Sequence, residues 1–177
     1  MSWIKKITQT FSYLIFLFVV VAVLLEVIFR ILPTSDSLMT KPATNDDPIL
    51  KFTENREVTK QIGFNFSHIN TKNINNYGYA TDKFFQEKSI NNKPVIAVIG
   101  DSYVEALQVK NSDTFHAILD DKFENYDFYP FGMSGSPLSQ YLAFAKFASN
   151  HFEPEIYIFL IIDNDFDESF ENVKKAP

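Results

Sequence analysis

Three short polar segments of the chain carry residue types that are suited to acyl transfer. They are Gly100-Asp101-Ser102-Tyr103, Gly132-Met133-Ser134-Gly135 and Asn164-Asp165-Phe166. Ser102 offers a hydroxyl nucleophile, and the backbone N–H groups of Ser102 and Gly135 can stabilise an oxyanion together with the side-chain amide of Asn164. Because the loss of one such donor typically costs about 3–4 kcal/mol of transition-state stabilisation, these residues are candidates for the active site of an ester-cleaving enzyme.

Each polar segment follows a stretch that is typical of a strand. The predicted strands are 95–99, 126–131 and 156–162, of which the first and third are continuous apolar runs expected to be buried on both faces. Two helices are predicted between them, 113–123 capped by Asp113 and 137–150 capped by Ser136. This order predicts an α/β fold with a parallel sheet. Since sites in such sheets gather at the carboxyl ends of the strands, we expect the three segments to meet there.

The three segments resemble, in order, the first three signature blocks of the SGNH hydrolases, also called GDSL esterases. The resemblance spans about residues 94–170, and the upstream apolar run and Asn-Tyr-Gly stretch are similar to membrane-tethered bacterial members. It implies Ser102 as the nucleophile, Gly135 as a backbone donor to the oxyanion and Asn164 as the side-chain donor. It also implies a flavodoxin-like three-layer α/β/α sandwich that acts without a cofactor on acyl esters, often acetyl groups on carbohydrate.

The chain departs from the pattern of this family in two places. Many members carry Asn just before the second block, where this chain has Pro130-Phe131. The fourth block, an Asp-x-x-His near the carboxyl terminus that supplies the base, does not follow the third segment. We interpret His68, His116 and His151 as surface or packing residues, with His116 on the flank of the sheet and His151 at the end opposite Ser102. A serine without a nearby base is a poor nucleophile at neutral pH.

Because the expected Asp-x-x-His base does not follow the third segment, two interpretations of the chain remain open. The first is a serine esterase or O-acyltransferase represented here without its C-terminal part. The alternative is a catalytically inactive, membrane-tethered protein of the same fold that serves in binding or assembly. A flavodoxin-type domain that binds a small ligand is a third and weaker hypothesis, because the expected phosphate-binding Ser/Thr/Gly cluster does not follow the first strand.

The amino terminus predicts a membrane anchor. Between Lys6 and Glu26 lie 19 residues without a charge, and about 20 helical residues cross a hydrocarbon core of roughly 30 Å. Lys5 and Lys6 precede the run, so the positive-inside rule places the rest of the chain on the extracytoplasmic side, periplasmic or outer. No small-x-small cleavage site follows the run, which favours a retained single-pass anchor over a cleaved signal peptide. Glu26 and Arg30 are spaced to form an ion pair near its end.

Charge and composition exclude several classes of partner. The net charge of −6 and the pI of about 5.0 argue against nucleic acid, and the absence of Cys excludes disulfides and thiolate metal sites. An EF-hand built on Asp163, Asp165 and Asp167 would need Gly and Glu where the chain has Glu168 and Lys174, so no metal site is predicted. We therefore divide the chain into an anchor (1–32), a stalk and irregular lead-in (33–92) and a partial SGNH-like domain (93–177).

Overall fold

The amino-terminal unit is one long apolar helix. The computed structural model describes residues 2–32, 34–36, 38–44, 47–90 and 92–170, and contacts divide the chain into two compact units, Met1–Thr34 and Ser35–Pro177. Helix α1 (Ser2–Ile31) forms the first unit. Its apolar stretch is long enough to span a membrane, and none of it is buried. The predicted ion pair is confirmed, because Arg30 Nη2 lies 2.8 Å from Glu26 Oε1.

The second unit begins with two antiparallel strand pairs. Strand β1 (Thr40–Lys41) pairs with β2 (Lys51–Phe52), and β3 (Arg56–Ile62) pairs along its whole length with β4 (His68–Ile74). The inward face of β4 is formed by three alternating residues, Asn70, Lys72 and Ile74. This hairpin lies within residues 33–92, for which the sequence predicts a stalk followed by loops or short strands, and its regular seven-residue pairing is not part of that prediction. The alternation is hidden in the sequence because two of the three buried side chains are polar.

A parallel three-stranded sheet follows, as predicted for an α/β fold. Its elements in chain order are β5 (Val95–Gly100), α2 (Ser102–Glu105), α3 (Phe115–Lys122), β6 (Asp127–Gly132), α4 (Leu138–Phe152), β7 (Ile156–Phe159) and α5 (Asp163–Ser169). The strand order is β6-β5-β7, and both pairings are parallel. All six residues of the central strand β5 are buried, which confirms the prediction from its continuous apolar run.

The third strand differs from its prediction. It ends at Phe159 instead of continuing to residue 162, and none of its four residues is fully buried. Its apolar run therefore does not mark a strand covered on both faces, because the described residues leave Ile156 and Phe159 nearly half exposed. The edge position is not the cause, since β6 lies at the other edge and is buried along most of its length.

The predicted helix caps were also wrong by one residue each. Helix α3 begins after Thr114, while Asp113 lies in the preceding 3₁₀ turn and accepts a hydrogen bond from Ser112 Oγ. Helix α4 begins after Pro137, because the Ser136 N–H closes a turn onto Met133 O (3.2 Å). The Asp113 side chain and the Ser136 backbone are thus engaged by the turn before each helix, and neither residue caps the helix itself.

Two apolar clusters use opposite faces of β5. Val95, Ala97 and Ile99 contribute to a large cluster that includes aromatic rings from β6, α4 and the segment before β5. Ile96 and Val98 point the other way, into a smaller cluster that α2, α3 and β6 complete. This alternation follows from the two-residue period of a strand. With both of its faces covered, the central strand β5 holds its carboxyl end at a fixed position relative to the elements packed on it.

Candidate functional site

The first two predicted segments meet at one edge of the sheet. Gly100 and Gly132 are partners in the register of β5 and β6, so the residues that follow them start side by side. A Cβ atom on Gly100 would lie 2.5 Å from Val104 Cγ2, and one on Gly132 would lie 2.6 Å from Glu105 N. Both glycines are therefore needed for helix α2 to pack directly onto the strand ends.

Ser102 and Asn164 are joined through the carboxylate of Asp101. Asp101 is completely buried, and its Oδ2 accepts hydrogen bonds from Ser102 Oγ (3.2 Å) and from Asn164 Nδ2 (3.4 Å). Its Oδ1 accepts a bond from the Tyr103 N–H (3.0 Å). Asn164 also donates to Glu168 Oε1 (3.2 Å) within α5. The fold thus brings together the predicted nucleophile and the predicted side-chain donor, which lie on separate segments of the chain.

Gly135 lies in the turn that follows β6. Its φ of +74° is left-handed, and a Cβ atom there would meet nothing within 4 Å, so the backbone conformation is what favours glycine at this position. The neighbouring Ser134 donates a side-chain hydrogen bond to Glu105 at the end of α2. Gly135 is therefore linked to the Ser102 helix through its neighbour. Its role as a donor to an oxyanion stays a prediction.

Two of the three predicted oxyanion donors are backbone N–H groups that the fold leaves available, whereas the third, the Asn164 side-chain amide, already donates to Asp101 and Glu168. In the described ranges, neither the Ser102 N–H nor the Gly135 N–H donates to a backbone or side-chain acceptor. Ser102 itself is only half-buried, and the adjacent Tyr103 is 62% exposed. An acyl group could therefore approach this edge from solvent.

No histidine hydrogen-bonds to Ser102 within the part of the chain that the structure describes. His68 Nε2 lies 2.6 Å from Gln108 O, and His151 packs on Phe147 and faces Glu87 at 3.7 Å. These contacts account for both rings without a catalytic role, and among those residues Ser102 Oγ bonds only to Asp101.

His116 is buried on the flank of the sheet. It follows Asp113 at an Asp-x-x-His spacing, but this pair precedes the second segment, and His116 Nδ1 faces Thr114 Oγ1 (3.3 Å) instead of Asp113. Burial lowers its pKa to about 4, assisted by the charge of Lys72, although the Val104 backbone and Asp120 oppose the shift. The neutral ring is therefore a packing element of the α3 face.

Several buried polar side chains around this edge were not found from the sequence. Glu105 is 3% exposed, and burial raises its pKa against the opposing influence of Ser134, Lys60 and Lys72. Lys72 donates to Glu105 O (3.1 Å), and burial lowers its pKa to about 8 although Glu105 and Asp82 raise it. The position of Glu105 one helical turn after Ser102 is the signal that could have identified it.

Tyr141 and Asp165 form a second buried polar group on the α5 side. Asp165 Oδ2 accepts a hydrogen bond from the Ile162 N–H (2.7 Å), which fixes the start of the helix that carries Asn164. Burial raises the pKa of Tyr141, and the adjacent Asp165 carboxylate raises it further. The Tyr141 hydroxyl lies beside this carboxylate without an aligned hydrogen bond.

The described residues contain no group of three or more side chains arranged to hold a metal ion. In the predicted acidic string, Asp165 is turned inward to the backbone of its own helix, while Asp163 and Asp167 are exposed. A cleft of about 720 Å³ lies along α4, but Ser102, Gly135 and Asn164 do not line it. The chemistry suggested by the sequence belongs to the strand-end edge and not to this cleft.

No family model, curated protein or solved structure matches this chain.

Proposed function

We propose that this chain is a serine ester hydrolase or O-acyltransferase of the SGNH type. The observation that carries the proposal is the shared hydrogen bonding of Ser102 Oγ and Asn164 Nδ2 to one buried oxygen of Asp101. Because this contact joins two separate segments at the carboxyl ends of parallel strands, it supports a site in which a hydroxyl and an amide act on the same group. The substrate class is an acyl ester, with acetylated carbohydrate as the form that the resemblance favours.

The proposed reaction begins with attack of Ser102 Oγ on the ester carbonyl carbon. The developing oxyanion would be held by the N–H groups of Ser102 and Gly135 and by the Asn164 amide, which would exchange one of its bonds to Asp101 or Glu168 for the oxyanion. Collapse of the intermediate expels the alkoxide, which takes the proton back from the base and leaves as the alcohol, while Ser102 remains acylated. Water then regenerates Ser102 in hydrolysis, whereas an acceptor hydroxyl does so in transfer. The Ser102 proton passes to a general base, which none of the three histidines supplies in this arrangement because each faces other groups.

The strand order supports the finer fold proposal. In the order β6-β5-β7, the strand that comes first in the chain, β5, lies in the centre. The second, β6, lies on one side of it and the third, β7, on the other. This is how a flavodoxin-like sheet begins, with its ligand site at the carboxyl ends where the order reverses. The three predicted segments follow these strands, which agrees with a flavodoxin-like three-layer sandwich.

The proposed location is the extracytoplasmic face of a membrane, with α1 as a single-pass anchor. Lys5 and Lys6 before the apolar stretch support this orientation. The chain contains no Cys, so a Ser112→Cys variant carries one exposed thiol. We expect a membrane-impermeant maleimide to label this variant in intact cells or right-side-out vesicles. Labelling only after lysis would reverse the proposed orientation.

The activity is tested on the full chain in its membrane or in detergent. We expect turnover of a small acetyl ester and covalent labelling by a fluorophosphonate, both abolished in Ser102→Ala. Ser112→Ala is the matched control, because Ser112 is exposed and also donates to the carboxylate of the next residue (3.0 Å), outside the proposed site. Turnover or labelling that persists in Ser102→Ala would exclude Ser102 as the nucleophile.

One observation favours a second candidate, an inactive tethered protein of the same fold that serves in binding or assembly. Within the described part of the chain, the Ser102 hydroxyl is bonded to a carboxylate and to no histidine. If the full chain is folded and homogeneous but neither turns over the ester nor reacts with the fluorophosphonate, this candidate replaces the enzyme.

A further inference from the structure

Glu105 connects the helix that carries Ser102 to the loop that carries Gly135. Glu105 is the last residue of α2, whose first residue is Ser102. Its Oε2 accepts the hydrogen bond from Ser134 Oγ, and the Ser134 backbone N–H also interacts with this carboxylate. Because Ser134 directly precedes Gly135, a single side chain bridges the two segments proposed to hold the reacting ester.

The surroundings of Glu105 keep this bridge from shifting. The carboxylate is 3% exposed, and the absent side chain of Gly132 lets the β6 end approach to within van der Waals contact of the Glu105 backbone. On the other side, Lys72 from the β3–β4 hairpin is 2% exposed and donates to Glu105 O (3.1 Å). Glu105 is thus packed between the hairpin and the end of β6.

A purely structural explanation accounts poorly for a buried acid at this position. Glu105 Oε1 is buried without a hydrogen-bond partner among the described residues, and an unsatisfied buried polar atom costs about 1–3 kcal/mol. Its one described side-chain partner is Ser134, an exposed residue of a surface turn. The burial of this carboxylate is explained if the function of the protein requires the exposed turn to be held in one position.

We propose that Glu105 is a positioning residue that sets the distance between the Gly135 N–H and the Ser102 hydroxyl by holding the Met133–Ser136 turn against α2. This inference rests on the proposed function, since it assigns the turn to the oxyanion. Lys72 supports the same arrangement from the hairpin. Glu105 touches neither the ester nor the acyl group, so it acts only through Ser134.

Two variants break the bridge from opposite sides, and a third preserves it. Glu105→Ala removes the acceptor, and Ser134→Ala removes the donor. Glu105→Gln keeps an acceptor oxygen on a side chain of the same length. In the full chain we expect kcat for a small acetyl ester to fall by about tenfold or more in both alanine variants, with KM within about twofold, because small displacements of catalytic groups have large effects on rate. Glu105→Gln and the Ser112→Ala control should stay within about threefold of the wild type.

Two further measurements separate positioning from a loss of stability. The double variant should be no slower than the slower single variant, because both substitutions remove one interaction. Amide hydrogen exchange, followed by mass spectrometry, should become faster in the peptide containing residues 132–136 in both alanine variants, and remain unchanged in the α3 peptides. Ser134→Ala keeps the proposal testable if Glu105→Ala does not fold, since its side chain is exposed.

The exchange measurement also distinguishes this inference from the proposed function. If the wild type is inactive while both alanine variants speed exchange of the turn, the enzyme proposal fails and the positioning by Glu105 stands. If exchange of the turn is unchanged in Ser134→Ala, or if kcat is unchanged although exchange is faster, Glu105 does not position the turn for catalysis and the inference is overturned.

Discussion

The aromatic cluster on one face of the sheet and the polar edge at its strand ends are both buried, yet they differ in how well their groups are matched. In the cluster, Phe85 stacks on Tyr129 with ring centroids 4.2 Å apart and an angle of 8°, and the Tyr129 hydroxyl accepts a bond from the Gln86 N–H (3.0 Å). The described residues at the polar edge include four buried polar atoms without a partner. They belong to Glu105, Ser136, Tyr141 and Asp165. In the cluster, the Tyr79 hydroxyl shares this condition, and the ring of Tyr141 packs into the same cluster while its hydroxyl reaches the polar edge.

We expect the polar edge to be the region that is under a constraint besides stability. Each unmatched buried polar atom costs about 1–3 kcal/mol relative to a matched one, so a sequence shaped only for packing would replace these residues by apolar ones. They occur at the carboxyl ends of parallel strands, where such folds place their sites. Other described residues, among them Arg56, Asn111 and His116, also carry unmatched buried atoms, so the polar edge is distinguished by its position at the strand ends and not by the unmatched atoms alone.

The largest effect on stability is expected in the aromatic cluster. Phe85 is 1% exposed and contacts Tyr77, Tyr79, Tyr129, Phe131 and Phe152. Phe85→Ala should lower the free energy of unfolding by about 3–5 kcal/mol, because it removes a buried ring and leaves a cavity. Urea unfolding of the full chain in detergent, followed by tyrosine circular dichroism, measures this change.

The adjacent residue supplies the control for this variant. Phe84 is 65% exposed, so Phe84→Ala should change the free energy of unfolding by less than about 0.5 kcal/mol. Equal losses in the two variants would show that the cluster is not the packed core that the fold assigns to this face.

A smaller effect is expected from the acid titration of His116. Its pKa falls from 6.5 to about 4 on folding because the ring is buried, with Lys72 lowering it further and the Val104 backbone and Asp120 opposing. Between these two values the unfolded chain binds more protons than the folded chain, so stability falls as the pH is lowered from about 6.5 to about 4. The loss should be on the order of 2–3 kcal/mol.

Comparison with a variant isolates this histidine from the other acid-sensitive groups. Glu105, whose pKa burial raises, contributes in the opposite direction, since its folded form binds protons more readily. The difference in stability between the wild type and His116→Gln should therefore change over this pH range. A parallel dependence in wild type and His116→Gln would contradict the buried, neutral ring.

The sequence predicted the sheet better than its surroundings. The 95–99 run gives a buried central strand, and the segments at Ser102 and Asn164 meet as expected because strand ends in a parallel sheet share an edge. The β3–β4 hairpin was missed because Asn70 and Lys72 occupy its inward face. Their partners are backbone carbonyls of residues 105–109, which no side-chain pattern reveals.

In the candidate site, too, some features could be predicted from the sequence and others could not. The residue types at Ser102, Gly135 and Asn164 were identifiable because hydroxyls, glycine turns and amides have known chemical uses. The burial of Glu105 and Asp165 was not predicted, because a carboxylate is ordinarily exposed and its burial depends on tertiary packing. The exposure of β7 was missed for a related reason, since an apolar run does not state how many of its faces are covered.

The smallest effect, a matched pair of hydroxyl deletions, tests the comparison between the two regions most directly. The Tyr129 hydroxyl in the aromatic cluster accepts a bond from Gln86 N, whereas the Tyr141 hydroxyl at the polar edge lies beside Asp165 without an aligned bond. Tyr129→Phe should lower the free energy of unfolding by about 1 kcal/mol. Tyr141→Phe should leave it unchanged or raise it by up to about 1 kcal/mol, since it removes a buried group that has no matched partner. Both are measured by urea unfolding at pH 7, where the two phenols are neutral because burial raises their pKa. If Tyr141→Phe lost as much stability as Tyr129→Phe, the hydroxyl at the polar edge would be satisfied, and the contrast between matched core and unmatched edge would not extend to α4.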